Sequence, residues 1–220
     1  RRFTADASHE LRTPLAAIDA TIDVTLARPR DEADYRAALT EVRTQANRLA
    51  QLTSQLLLLS RLDAVELQTA FVPVDLDEVL AAVSEPFSTA SPPMTVTIES
   101  SGAHEVLGDF ELLARAFFNI IDNTVKHGGS GVSMAIHVQR QERWQIVRFV
   151  DNGVGIPASL APEMFERFRR GDAARSTPGA GLGLSIVQAI VEVHGGSIAA
   201  EAPTGGGGTT IVVRLPAETR

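Results

Sequence analysis

The chain has 220 residues, 44% hydrophobic and 21% charged, enough for one large domain or two modest ones. Its formal net charge of -7 argues against a general nucleic-acid binder, and the absence of cysteine excludes a disulfide framework, a thiolate nucleophile and a cysteine-ligated cluster. No apolar run approaches the roughly 20 residues that span a bilayer, and the opening on Arg1 rather than Met reads as a fragment of something longer.

Taken in order, the chain begins with a helix from Arg1 to about Ala27, where Leu11, Leu15, Ile18, Ile22 and Leu26 recur at three- and four-residue spacing and predict one buried stripe. Arg28 to Asp31 break the pattern around Pro29. A second helix is expected from Glu32 to Leu62, with Leu39, Val42, Ala46, Leu49, Leu52, Leu56 and Leu59 at the same spacing. Two long helices with one stripe each bury both poorly alone. A dimeric four-helix bundle of two antiparallel hairpins is the economical solution, and a monomeric hairpin packed on the rest of the chain is the alternative. Residues 1–66 are therefore assigned to a helical dimerisation domain, 67–75 to a linker, and 76–220 to a second domain.

In the second domain the pattern mixes types. Helices are expected at Leu76–Phe87, Phe110–Lys126 and Leu182–Val193, and strands at Met94–Glu99, Glu105–Leu107, Val132–Gln139, Gln145–Val150, Ser197–Glu201 and Thr209–Arg214, the last two joined by a Gly205–Gly208 turn. The fold class is multidomain: an all-α hairpin followed by an α+β sandwich with helices on one face of a mixed sheet.

Four stretches carry chemistry. In Ser8-His9-Glu10-Leu11-Arg12-Thr13-Pro14, His9 lies nearly opposite the apolar stripe, with Thr13 on its face. A lone His is ordinarily a satisfied core or surface residue. Here Pro14 removes the donor that would meet the Glu10 carbonyl, and the Glu10 carboxylate directly follows the imidazole, placed to orient it or take its proton. A zinc protease would need a second His at Thr13. On the helix near 110–126, Asn119, Asn123, Lys126 and His127 line the edge of the stripe formed by Leu113, Phe117, Ile120 and Ile121. Such a row is either a solvated face or a pocket rim, where amide oxygens suit Mg²⁺ and Lys126 suits phosphate.

Asp151-Asn152-Gly153-Val154-Gly155-Ile156-Pro157 follows a strand. It is either an ordinary Asn-Gly turn or a close backbone approach to a ligand, with Asp151 able to accept the exocyclic amine of adenine. Gly179-Ala180-Gly181-Leu182-Gly183-Leu184 opens the next helix, whose N-H groups and dipole suit phosphate. Neither glycine stretch has the spacing of a Rossmann or P-loop motif.

The His9 stretch resembles the phosphoacceptor box of the sensor histidine kinases of two-component signalling, and the remainder resembles the Bergerat ATP-binding fold shared by histidine kinases, gyrase and MutL. Asn119–His127 looks like the N box, Asp151–Pro157 the first glycine box, Phe165–Arg170 the F box and Gly179–Leu184 the second glycine box. The resemblance implies that His9 is the nucleophile toward ATP, that Glu10 assists as base, and that Thr13 serves a phosphatase reaction. It implies Mg²⁺ on Asn123, with Asn119 beside it, phosphates on Lys126, His127, Gly179, Gly181, Leu182 and Gly183, and adenine on Asp151 with Gly153 and Gly155. It also implies a lid over 167–183, expected to be disordered without nucleotide. Arg167, Arg169, Arg170 and Arg175 give that lid positive charge, and Gly171 and Gly179 are candidate hinges.

Thr124 stands where such proteins usually have Ala, and the sequence gives no consequence for it. Asn119 stands where gyrase and MutL relatives carry the glutamate base of hydrolysis; an amide takes no proton, so the terminal phosphoryl is expected to pass to His9. The resemblance further implies a homodimer, a response regulator whose aspartate receives the phosphoryl group, and a cytoplasmic location beneath upstream membrane segments. The rival readings are a scaffold that binds without phosphorylating itself and an ATP-hydrolysing conformational machine.

Overall fold

The computed structural model describes residues 2–62, 71–90, 94–156, 163–168, 181–201 and 207–218. The chain divides into two compact units, 1–60 and 61–220.

The first unit is a hairpin of α1 (Arg2–Leu26) and α2 (Glu32–Leu62). Asp31 ends the connection by accepting the Asp34 N–H at 2.8 Å, and an i,i+4 pair between Glu32 and Arg36 follows it in the first turn. The helix bounds match the periodicity, and the predicted stripe is buried only in part. Ala7, Pro14, Leu52 and Leu59 are buried, whereas Leu15 is 52%, Leu39 69% and Leu26 74% exposed. One hairpin has too little surface to cover both stripes. Among the described residues no helix is long and apolar enough to cross a membrane.

In the second unit β1 (Val72–Asp75) precedes α3 (Leu76–Ser88), β2 (Thr95–Ser100), β3 (Glu105–Gly108) and α4 (Phe110–His127). Then come β4 (Ser133–Gln141), β5 (Trp144–Asp151), α5 (Gly183–Val193), β6 (Ser197–Glu201) and β7 (Thr210–Pro216). Val72–Asp75, read in the sequence as the end of a linker, is instead a strand paired antiparallel with β3 in a separate two-stranded sheet. The Gly205–Gly208 turn lies partly outside the described residues. The main sheet has the order β2-β4-β5-β7-β6, with β2 parallel to β4 and the other neighbours antiparallel.

Alternation along the strands sorts the two faces. Met134, Ile136 and Val138 on β4, Val147 and Phe149 on β5, and Val213 and Leu215 on β7 are buried toward the helices, where Phe117 of α4 meets Phe149 at 5.4 Å between ring centroids. The other face carries the pairs His137–Glu99 and Arg148–Glu201. Helices α3 and α4 start at Asp75 and Asp109, whose carboxylates accept the N–H groups of Asp77 and Leu112.

His194, just past α5, ties three elements together. Its Nε2 accepts the Asp109 N–H at 3.1 Å, so its Nδ1 carries the proton and donates to the Ile190 carbonyl at 2.7 Å. The ring stacks on Phe71, with centroids 4.4 Å apart. Burial lowers the imidazole pKa, outweighing the Ile190 bond and the Asp109 charge, which raise it.

Candidate functional site

The site is assembled where the end of β5 meets the end of α4. Register places Asp151 opposite Met134 on the helix-facing side of the sheet, continuing the row of Val147 and Phe149. A carboxylate there must be satisfied locally. Its Oδ1 accepts two backbone N–H groups, Gly153 at 2.9 Å and Thr209 at 3.0 Å, while Oδ2 faces the Thr124 hydroxyl at 3.4 Å. The carboxylate is thus held from β7, from its own turn and from α4. Asn152 docks the turn onto β4, its Oδ1 accepting the Ser133 N–H at 2.8 Å.

Gly153 is required by close packing. A Cβ there would stand 2.7 Å from the Gly128 Cα and 2.8 Å from its carbonyl oxygen, so any side chain would part the glycine turn from the end of α4. Val154 N–H donates to that same carbonyl at 3.2 Å. Gly155 and Gly181 both adopt positive φ, at 78° and 67°.

On α4, Asn119 and Asn123 are half-buried at the edge of the apolar face, and Lys126 and His127 are exposed beyond them. The Asn119 Nδ2 is buried with no hydrogen-bond partner among the described residues. Lys126 is engaged by Asp122, four residues earlier, in an ion pair that the sequence reading had not used. Among the described residues no group of three or more His, Cys, Asp or Glu is placed to hold a metal ion. A cation at this edge would therefore rest on amide oxygens and on ligand oxygens, a donor set suited to Mg²⁺.

The second glycine stretch is described only from Gly181. Leu182 caps α5 without a side-chain bond and sends its carbonyl to the Ile186 N–H and the Ser185 hydroxyl, both at 3.0 Å. No side chain among the described residues caps the first N–H groups of α5, which suits a ligand there. A Cβ on Gly183 would meet nothing within 4 Å among the described residues, so none of them fills the space over that turn. Phe168 donates its N–H to the Gly181 carbonyl at 3.0 Å, anchoring Glu163–Phe168 to the same corner. Arg169, Arg170, Gly171, Arg175 and Gly179, and with them most of the expected lid, lie outside the described residues. Two clefts of about 450 and 480 Å³ lie elsewhere, one lined by Val83, Pro86, Arg115 and Phe118 and the other by Phe71, His194 and Pro216. Neither is lined by a predicted site residue.

In the first unit His9 is exposed and Glu10 half-buried on α1, and the Thr13 hydroxyl donates to the His9 carbonyl at 3.2 Å. The histidine is thus offered outward with its backbone tied by the residue one turn later.

A phosphoacceptor-type hairpin followed by an α/β sandwich with a glycine-walled carboxylate and an uncapped helix end defines a kinase or ATPase core of the Bergerat kind. The model of the histidine kinase-, DNA gyrase B- and HSP90-like ATPase matches residues 108–219, half of the chain, and that of the His kinase A (phospho-acceptor) domain matches 1–65. The probable sensor histidine kinase TcrY of Mycobacterium tuberculosis is 35% identical over 226 residues, covering 98% of this chain and 46% of that protein. Among solved structures, the mycobacterial sensor histidine kinase MprB is 31% identical with a TM-score of 0.62, over 68% of this chain and all of that one. The Acinetobacter baumannii histidine kinase AdeS, at 20% identity, shares the fold over 96% of this chain and 98% of its own, with a TM-score of 0.74. The chain belongs to the sensor histidine kinase family. It spans about half the length of the curated relatives it matches.

Proposed function

We propose that this chain is the catalytic core of a protein histidine kinase that phosphorylates its own His9 from ATP. The observation that carries the reading is the exposed imidazole of His9 beside Glu10, in a chain whose other unit builds the carboxylate and glycine cradle around Asp151. Asp151 Oδ2, with a lone pair to spare, accepts the adenine amine, while Gly153 and Gly155 let the backbone come close. The open first turn of α5 at Leu182 and Gly183, together with Lys126, His127, Arg169, Arg170, Gly179 and Gly181, receives the phosphates. Asn119 and Asn123 would hold Mg²⁺, which offsets triphosphate charge when bound.

In the transfer, an imidazole nitrogen of His9 attacks the γ-phosphorus in line. The N–P bond forms as the bond to the β,γ-bridging oxygen breaks, ADP leaves with that electron pair, and Glu10 takes the ring proton. Asn119, an amide, activates no water, which favours transfer over hydrolysis.

The phosphoryl group then passes to an aspartate of a response regulator receiver, and in a separate phosphatase reaction Thr13 orients a water toward the regulator's acyl phosphate, releasing inorganic phosphate. A second copy of the chain covers the hairpin's exposed Leu15, Leu26 and Leu39, giving a four-helix bundle. Residues 1–66 form the dimerisation and phosphoacceptor domain, 67–75 the linker and 76–220 the ATP-binding domain, although β1 pairs with β3 and belongs structurally with the latter. In the whole protein, upstream membrane segments would place this core in the cytoplasm.

The test is incubation with Mg-ATP labelled in the γ-phosphate, comparing the chain with His9→Gln. Acid-labile, alkali-stable label that disappears in the variant is expected. Label that persists in His9→Gln, or steady phosphate release with no labelled protein, overturns the reading.

A further inference from the structure

Thr124 is nine-tenths buried in the last turns of α4, and its hydroxyl departs from the habit of six other helical threonines. Thr13, Thr21, Thr25, Thr40, Thr44 and Thr53 each donate back to the carbonyl four residues earlier, at 2.6 to 3.2 Å. The Thr124 hydroxyl is directed instead across to β5, at Asp151 Oδ2. The 3.4 Å separation is long for a hydroxyl, as is common in a site that has yet to close on its ligand.

The two oxygens of Asp151 are therefore not equivalent. Oδ1 accepts two backbone N–H groups, which use both of its lone-pair directions. Oδ2 has one direction facing Thr124, and no other hydrogen-bond partner among the described residues. Rotation of the carboxylate would break two backbone bonds, so the backbone holds its plane, and the hydroxyl decides which side of Oδ2 is left for a ligand.

We propose that Thr124 is a positioning residue for base recognition: its hydroxyl occupies one side of Asp151 Oδ2 and so directs the remaining lone pair at the 6-amino group of a purine. This deepens the proposed function and rests on Asp151 accepting the adenine amine. Thr124 touches no reacting atom, and its effect is on which nucleotide binds. Valine keeps the shape of threonine and removes the hydroxyl, and serine keeps the hydroxyl and removes the methyl.

The experiment measures the Kd of the chain, and of its Thr124→Val, Thr124→Ser and Asp151→Asn variants, for ATP and for purine riboside triphosphate, which lacks the amine. Thr124→Val is expected to weaken ATP about fivefold, which is about 1 kcal/mol, while the amine-free nucleotide changes less than twofold. Thr124→Ser restores the ATP preference to within twofold. Equal weakening of both nucleotides by Thr124→Val would make the residue merely structural and overturn the proposal, as would an unchanged preference. Asp151→Asn separates the two levels. If it leaves the ATP preference intact, the adenine reading itself fails; if it abolishes the preference while Thr124→Val does not, only the role of Thr124 fails.

Discussion

Replacing Gly183 by alanine should raise the stability of the free protein and weaken its hold on ATP, two effects of opposite sign from one methyl group. Gly183 is the first residue of α5, its φ is not in the left-handed region, and an added Cβ would meet nothing within 4 Å among the described residues. The free protein thus incurs no clash and gains helix propensity, about 0.5 kcal/mol at a terminal position where the interior value is roughly 1. For a chain of this length that is a rise in Tm of about 1–2 °C. With ATP the methyl stands over the uncapped N–H groups of the first turn, where a phosphate oxygen is expected. Losing one charge-assisted bond of about 2 kcal/mol raises Kd roughly 30-fold. At a nucleotide concentration near 100 times the original Kd, ligand stabilisation should fall from about 2.7 to about 0.9 kcal/mol. Thermal melts of both proteins with and without Mg-ATP, backed by calorimetric titration, read the two effects separately. An ATP affinity within twofold of the parent would refute the phosphate assignment at α5, and a lower Tm without nucleotide would refute the open space over Gly183.

Two further outcomes follow from the packing. Gly153→Ala should destabilise the α/β unit by about 1–3 kcal/mol, because its Cβ would stand 2.7–2.8 Å from Gly128 backbone atoms where about 3.5–4 Å is needed. Chemical denaturation measures the loss, and ATP titration should show weaker binding as Asp151 moves. For His194, burial lowers the folded pKa, so the unfolded chain takes up the proton first as pH falls. Its contribution is fully present above the unfolded value of about 6.5 and is lost below it, by at most ~1.4 kcal/mol per pH unit, until the folded pKa is reached. Denaturation at pH 7.5, 6.5 and 5.5 should show a steeper fall for the parent than for His194→Phe; parallel curves would mean that burial does not hold the ring neutral in the folded chain.

Much of the architecture is local and was legible in the chain. Apolar spacing bounded α1, α2, α3, α4 and α5 within a residue or two, and alternation located β4, β5 and β7, because a helix or a strand imposes its own period on whatever face it buries. Strand β1 escaped because four residues including Pro73 have no period to read, and it exists by pairing with β3 some thirty residues on. The hairpin stripes were legible as apolar and as more than one hairpin can bury, but which of their residues stay exposed was not, since burial depends on what else is present. Asp151, Asn119 and Asn123 stood out by type and spacing, and Thr124 stood out as a departure from the usual Ala but without a consequence, whereas nothing local marked His194.

The sequence by itself determined every element but β1, their order and the family, because each is written in spacing between near neighbours or in short contiguous motifs. Tertiary structure alone decided how those motifs are aimed. The Asp151 carboxylate is oriented by Thr209, 58 residues away, and faces Thr124, 27 residues away, contacts that form only when β7 and α4 close on the end of β5. The N–H of Asp109 finds its acceptor on His194, 85 residues later. Hydrogen bonds of that reach depend on register between strands and on the seating of helices, which are cooperative properties of the packed core and leave no periodic trace in the chain.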